Sequence, residues 1–168
     1  MFNKIDKLTQ TEFTEVFGNI FENASWIAVR LYKQKPYYNF KNLCEKMISI
    51  FEESNTQSKL KIINSHPDLA NKTKIGSLTP DSIKEQTGAG LDQCTEKEFN
   101  EFKKLNLKYK NTFGFPFILA VKGKNKLEIL DNFKKRILSD KQIEFDEAIK
   151  QVKQIANLRL SELKSKFI

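Results

Sequence analysis

The sequence predicts an all-α fold, a single compact domain of about eight helices. Apolar residues recur at steps of three and four through most of the chain, which is the helical period. No sustained alternation of apolar and polar residues indicates a strand, and only 6 Gly and 4 Pro interrupt the 168 residues. One hydrophobic core is sufficient at this length, so we expect residues 1–168 to form one domain.

The first two predicted helices lie before Pro36. From Thr9 onward, one helical face carries apolar side chains at Phe13, Val16, Phe17, Ile20 and Phe21. Ser25 can cap a second, shorter helix that continues through Tyr32 and ends near Pro36. We expect the Trp26 side chain to lie in the core.

Two more helices are predicted between residues 39 and 65. Residues 39–53 carry an apolar stripe at Phe40, Leu43, Cys44, Met47, Ile48 and Phe51. Pro67 disfavours helical backbone at the residue before it, so His66 lies in a turn that follows a helix. His66 is the only histidine, and imidazole is the side chain that exchanges protons near neutral pH. The alternative is a loop histidine with no special role.

A short helix is predicted from Thr79-Pro80 to Gly88, because a capping threonine, a proline at the first position and a terminal glycine are typical helix limits. The side chains of Ser82, Glu85 and Gln86 share one face of it. That face is either plain polar surface or a hydrogen-bonding surface.

Thr95 and Glu98 have capping-box spacing and predict a helix that reaches Tyr109. Residues 113–118 follow, with the sequence Phe-Gly-Phe-Pro-Phe-Ile, in which glycine and proline disfavour a regular helix while the aromatic side chains need burial. We expect buried irregular backbone here. It is either a tight connection between helices or a wall whose main-chain groups bind a ligand.

The last two helices are predicted over residues 124–139 and from about Glu144 to Phe167, with Asp140 or its neighbours opening the second. The inward residues expected in the first are Leu127, Leu130, Phe133 and Ile137. Arg159 lies beside the apolar face of the last helix. It is either an ordinary surface arginine or a partly buried guanidinium that needs an anion.

The net charge of +8 allows a second class of function, a basic helical module that binds nucleic acid or an acidic partner. The lysines are interleaved with acidic residues and form no run of five, which argues against it. Cys44 and Cys94 lie fifty residues apart without a CxxC motif, so neither a zinc site nor a disulfide framework is indicated. The first residues lack the apolar core of a signal peptide, and no apolar run is long enough for a membrane span. We therefore expect a soluble, cytoplasmic protein.

Five motifs in sequence order resemble the OHCU decarboxylase family. They are His66-Pro67-Asp68-Leu69-Ala70; Ser82-x-x-Glu85-Gln86 with Gly90-Leu91; Leu105-Asn106-x-x-Tyr109; residues 113–118 with Val121-Lys122-Gly123; and Ile155-Ala156-x-x-Arg159-Leu160. The resemblance covers nearly the whole chain and includes Phe21-Glu22-x-x-Ser25-Trp26. It implies conversion of 2-oxo-4-hydroxy-4-carboxy-5-ureidoimidazoline (OHCU) to S-allantoin in urate breakdown.

The resemblance also implies an all-α homodimer that binds this small ureidoimidazoline and needs neither a metal nor an organic cofactor. The substrate has an imine carbon beside the carbon that loses carbon dioxide, so it supplies its own electron sink. Enzymes of this fold that act on a related ureido or hydroxy acid are a further alternative.

The resemblance assigns roles to individual residues. His66 would be the catalytic acid/base, Glu85 would hold its imidazole or a ureido nitrogen, and Arg159 would bind the substrate carboxylate. The other residues that it places in the substrate site are Pro67, Ser82, Ile83, Lys84, Gln86, Phe117, Ile118, Leu119, Ala120 and Val121.

Overall fold

The computed structural model describes residues 2–71 and 78–167, and within those ranges it contains helices and no strand, which confirms the predicted all-α class. The helices are α1 (Phe2–Lys7), α2 (Gln10–Phe17), α3 (Ser25–Tyr32), α4 (Phe40–Glu52), α5 (Thr56–Ser65), α6 (Pro80–Gly88), α7 (Glu96–Phe113), α8 (Lys126–Arg136) and α9 (Lys141–Phe167). A 3-10 turn, η1 (Leu91–Gln93), lies between α6 and α7.

The chain divides into two units. One contains the residues up to Ile62 together with those from Lys153 onward, and the other is Ile63–Val152. The second unit contains His66, α6 and the segment 115–121, whereas Arg159 belongs to the first. That residues 1–168 act as one domain stays a prediction.

In the first unit, α2 begins with a capping box at Thr9 and Glu12, as its apolar spacing predicts. The helix ends at Phe17, four residues short of the predicted apolar stripe. Gly18 is the C-cap, and its N–H donates to the carbonyl oxygen of Thr14 at 2.7 Å. A Cβ at Gly18 would lie 2.4 Å from that oxygen, so this close approach requires glycine. Phe21 follows the turn and is still buried.

Two details of α3 differ from the prediction. The helix starts at Ser25 itself, and Ala24 occupies the cap position without a side-chain hydrogen bond, so the predicted serine cap is wrong by one residue. Trp26 is half-buried and not a core residue. The guanidinium of Arg30 lies 4.7 Å from the centre of the Trp26 ring, and this cation–π contact explains why the indole can remain partly exposed.

In the second unit, α7 supplies the centre of an aromatic core. It begins with the predicted capping box at Thr95 and Glu98. The ring of Tyr109 lies within about 6 Å, between ring centres, of four aromatic rings, those of Phe113, Phe115, Phe117 and Phe133. Gly114 then ends the helix with a positive φ of 83°, a conformation that glycine adopts without strain.

The predicted inward face of α8 is partly wrong. Asn125 caps the helix and forms a capping box with Glu128, so α8 begins at Lys126. Ile129 precedes Phe133 by four residues, which places it nearer the centre of the buried face than Leu127. Leu127 is 71% exposed, whereas Ile129 is fully buried. Ile129 therefore replaces Leu127 on the core face.

Candidate active site

His66 lies in the predicted turn directly after α5. Its backbone N–H donates to the carbonyl oxygen of Ile63 at 3.1 Å, which closes the last turn of the helix, and Pro67 then prevents the helix from continuing. The His66 and Pro67 side chains are both half-buried. The sequence argument for a turn at the only histidine is confirmed.

The residues after this turn are fastened to α6 by Gln86. The Oε1 atom of Gln86 accepts a hydrogen bond from the N–H of Ala70 at 3.0 Å, and its Nε2 donates to the carbonyl oxygen of Asp68 at 3.4 Å. Both ends of this amide thus bind main chain of the His66 motif. Since Glu85 precedes Gln86, α6 and the His66 turn meet in the part of the helix that carries the second predicted catalytic residue.

Two residues of α7 hold the same turn from another side. Asn106 Nδ2 donates to the carbonyl oxygen of Leu69 at 2.9 Å, and Lys110 Nζ forms an ion pair with Asp68 Oδ2 at 2.7 Å. Asn106 belongs to the Leu105-Asn106-x-x-Tyr109 motif, but the sequence does not predict a role for it at the site. The available signal was its position in the buried stripe of α7, where a polar residue is unusual.

The polar face of α6 is buried to different depths. Thr79 caps the helix through the N–H of Ser82 at 3.3 Å, with Pro80 at the first position, as predicted. Ser82 is buried and Glu85 is half-buried, so this face is not plain polar surface.

Ile83 and Lys84 lie on the other side of α6, and both side chains are exposed. Ile83 borders a shallow cavity of about 240 Å³ with Gln86 and Leu91.

The segment from Phe115 to Val121 is buried and has no regular secondary structure, which confirms the predicted buried irregular backbone. Side chains from other elements form hydrogen bonds with some of the main-chain groups of this segment. Arg136 Nη1 donates to the carbonyl oxygen of Ile118 at 2.6 Å, and the N–H of Ala120 donates to Gln151 Oε1 at 2.9 Å. Long-range hydrogen bonds thus hold candidate residues 117–121 in place, and their role as a wall of a substrate site stays a prediction.

A buried ionic group that the sequence does not predict supports residues 117–121. Glu144 Oε2 accepts from Arg136 Nε at 3.0 Å and from the hydroxyl of Tyr109. The Arg136 guanidinium also lies 4.4 Å from the centre of the Phe117 ring. Burial, and next the hydrogen bond to Glu144, raise the pKa of Tyr109 well above its usual value, so this hydroxyl stays a donor.

Arg159 lies in the first unit and is 6% exposed. Its Nη2 is 3.0 Å from Oε1 of Glu22, which is 2% exposed, and its Nη1 donates to the carbonyl oxygen of Asn19 at 3.1 Å. A buried guanidinium that needs an anion was one of two sequence interpretations, and it is confirmed, with Glu22 as that anion. The binding of a substrate carboxylate by Arg159 stays a prediction.

Within residues 2–71 and 78–167 there is no cluster of three or more histidine, cysteine, aspartate or glutamate side chains that could hold a metal ion. The described helices include none with the length and apolar character that a membrane span requires.

Comparison with known proteins gives one consistent family. The model of the OHCU decarboxylase family matches residues 6–161. A uric acid degradation bifunctional protein of Bacillus sp. (strain TB-90) is 41% identical over 160 residues, which are 95% of this chain and 31% of that protein. The chain therefore spans about a third of the length of the bifunctional Bacillus relatives that it matches.

A 2-oxo-4-hydroxy-4-carboxy-5-ureidoimidazoline decarboxylase of Halalkalicoccus jeotgali is 34% identical over 161 residues, 96% of this chain and 88% of that protein. Among solved structures, the crystal structure of an (S)-allantoin synthase superposes with a TM-score of 0.76 at 26% identity. That match covers 97% of this chain and 54% of the other.

Proposed function

The chain belongs to the OHCU decarboxylase family, and from that premise we propose that it decarboxylates OHCU to S-allantoin in urate breakdown, without a metal or organic cofactor. The observation that carries the proposal is the attachment of the His66 turn to α6, the helix that bears Ser82 and Glu85. An acid/base and a carboxylate are thereby held on two elements in direct contact, which is the arrangement that general acid/base catalysis needs.

In the proposed reaction the bond between the ring carbon and its carboxylate breaks, and carbon dioxide leaves. The electron pair of that bond moves into the adjacent imine, and a proton is then taken up to give allantoin. His66 moves that proton, either to the imine side as carbon dioxide leaves or to the carbon that becomes the S centre. Glu85 accepts a hydrogen bond from the imidazole or from a ureido nitrogen.

The family resemblance assigns the substrate carboxylate to Arg159, and we propose that its guanidinium, which also binds Glu22 and the carbonyl oxygen of Asn19, takes that role. That interaction stabilises the bound substrate and is lost as carbon dioxide forms, so Arg159 would contribute to binding and orientation of the substrate. Ser82 offers a hydroxyl to the ureido group or the ring. Pro67 and the wall of residues 117–121 provide apolar surface and main-chain groups for the ring.

The alternative of a basic module for nucleic acid has less support. Several lysines of the positive surface pair with carboxylates, as in Lys126 with Glu98 at 2.8 Å and Lys134 with Glu101 at 2.6 Å. Such pairs reduce the charge that is available to phosphates. A DNA or RNA probe that is not shifted by micromolar protein at low salt would exclude this alternative.

The test of the proposed reaction uses OHCU generated in place immediately before the purified chain is added. Optical activity then reports the S enantiomer, which the spontaneous racemic reaction does not enrich. We expect a rate above the spontaneous one and an excess of S-allantoin. A related ureido or hydroxy acid that reacts faster would identify a different substrate in the same class.

We also propose that the chain works as a cytoplasmic homodimer, as the family resemblance implies. Light scattering after size-exclusion chromatography tests the oligomeric state, and a mass of one 19.6 kDa chain would refute the dimer. Fractionation of the source cells tests the location.

A further inference from the structure

The three residues that follow Pro67 are each hydrogen-bonded to a side chain from a neighbouring helix. Asp68 is held through its carbonyl oxygen by Gln86 and through its carboxylate by Lys110. The carbonyl oxygen of Leu69 accepts from Asn106, and the N–H of Ala70 donates to Gln86. These bonds come from α6 and α7, so the turn is held from two directions.

The backbone of this turn needs such support. Ala70 has a φ of 56°, in the left-handed region that side chains other than glycine rarely occupy. A residue in that region persists where surrounding contacts determine its conformation. The bonds to residues 68–70 are the contacts that do so here.

Asn106 is the most unusual of the supporting residues. It is 5% exposed and belongs to the buried stripe of α7 that also contains Phe102, Tyr109 and Phe113. A leucine of similar size would pack there without the cost of burying an amide. The feature that distinguishes asparagine from leucine at this position is the 2.9 Å hydrogen bond to the carbonyl oxygen of Leu69.

We propose that Asn106 is a positioning residue for His66. Through Leu69, and together with Gln86 and Lys110, it fixes the chain just after the histidine, while the bond from His66 N–H to Ile63 fixes the chain just before it. The backbone at His66, and with it the direction of the Cα–Cβ bond that carries the imidazole, is thereby fixed. The inference rests on the proposed function, because it assigns Asn106 its role through the catalytic use of His66.

The first test replaces Asn106 with leucine, which keeps the volume and removes the donor. We expect kcat to fall by about 10- to 100-fold, as a displacement of about 1 Å in a catalytic group does. KM should change by less than about threefold, because Asn106 binds the turn and not the substrate. A purely structural role would lower the folded fraction but leave kcat per folded molecule unchanged.

A second readout does not depend on turnover. His66 is the only histidine, so its ring gives a single Hε1 signal in a proton–carbon NMR spectrum. In Asn106→Leu we expect this signal to broaden or to move toward its position in the unfolded chain. A folded variant with the wild-type signal and the wild-type kcat would overturn the proposal.

Lys110→Met keeps the test decisive should Asn106→Leu fail to fold, because the Lys110 side chain is 40% exposed. Its matched control is Lys108→Met, an exposed lysine of the same helix. We expect a fall in kcat of about two- to fivefold for Lys110→Met, the size of a partly exposed ion pair, and none for the control. Equal kcat values and equal His66 signals in these two variants would overturn the proposal.

The proposed function and the positioning role of Asn106 are tested separately. A wild-type chain that does not accelerate OHCU decarboxylation refutes the proposed function, and the His66 signal of the variants still tests whether Asn106 positions the turn. An active wild-type chain with an unaffected Asn106→Leu variant refutes only the positioning role.

Discussion

Replacing Glu22 with leucine removes the carboxylate beside a guanidinium that has almost no access to water. Arg159 is 6% exposed and Glu22 is 2% exposed, with 3.0 Å between Arg159 Nη2 and Glu22 Oε1. Loss of one partner of a buried ion pair costs about 3–5 kcal/mol, because the remaining charge stays buried. The carbonyl oxygen of Asn19 still accepts from Nη1, so we expect the lower end, about 3 kcal/mol.

A chain of this length changes its melting temperature by about 2–4 °C per kcal/mol, so Glu22→Leu should melt about 6–12 °C below the wild type. The assays are thermal and urea unfolding followed by circular dichroism, applied to Glu22→Leu, Arg159→Met and the double variant. The double variant should lose less than the sum of the single ones, by about 1–3 kcal/mol, since neither charge remains buried.

The matched control is Glu45→Leu. Glu45 pairs with Lys41 on the surface of α4 at 3.7 Å, and both side chains are well exposed. This control should unfold at the wild-type urea concentration. The reasoning would be refuted by a Glu22→Leu variant that unfolds like the Glu45 control, or by losses in the Glu22 and Arg159 variants that simply add.

Three further predictions concern the second unit. Ile129→Ala should lower the free energy of urea unfolding by about 2–5 kcal/mol, because the Ile129 side chain is fully buried. Leu127→Ala should change that free energy by less than about 0.5 kcal/mol, and equal losses in the two variants would contradict the orientation of α8. Because the folded state raises the pKa of Tyr109, it keeps a proton that the unfolded chain releases near pH 10. The free energy of unfolding should therefore fall as pH rises above about 10, and Tyr109→Phe should show a slope shallower by up to about 1.4 kcal/mol per pH unit; an unchanged slope would argue against the shift. Ala70→Gly should lower the free energy of thermal unfolding by less than Ala148→Gly does, because φ at Ala70 is positive and glycine adopts that conformation without strain. Ala148→Gly lies in a helix interior and should cost about 1 kcal/mol. The reverse order would contradict the strained turn.

The parts of the fold that the sequence predicts are those set by local chemistry. Thr9 and Thr95 cap their helices through neighbours three residues away, and Pro67 acts on the residue directly before it. The error at α8 arises where two apolar residues compete for one helical face. Leu127 precedes Leu130 by three residues and Ile129 precedes Phe133 by four, so both fit the period, and tertiary packing buries Ile129 and leaves Leu127 exposed.

The candidate site divides in the same way. The turn at His66 and the shared face of Ser82 and Glu85 follow from short spacings and were predicted. The partner of the His66 turn and the partner of Arg159 could not be predicted in this way. Asn106 is 37 residues from Leu69, and Glu22 is 137 residues from Arg159. Which distant elements meet depends on tertiary packing, and a periodic pattern carries no information on that. The assigned roles of His66, Glu85 and Arg159 remain predictions.

The central claim is that His66 is the acid/base of an OHCU decarboxylase, and turnover of freshly generated OHCU by wild type and His66→Ala tests it most directly. We predict that wild type produces an excess of S-allantoin, that His66→Ala falls by about 10²- to 10⁴-fold toward the spontaneous rate, and that Glu85→Gln is also impaired. The matched surface variant Lys108→Met should keep wild-type turnover. A wild-type chain that is no faster than the spontaneous reaction, or a folded His66→Ala variant that still makes S-allantoin at the wild-type rate, would contradict the claim.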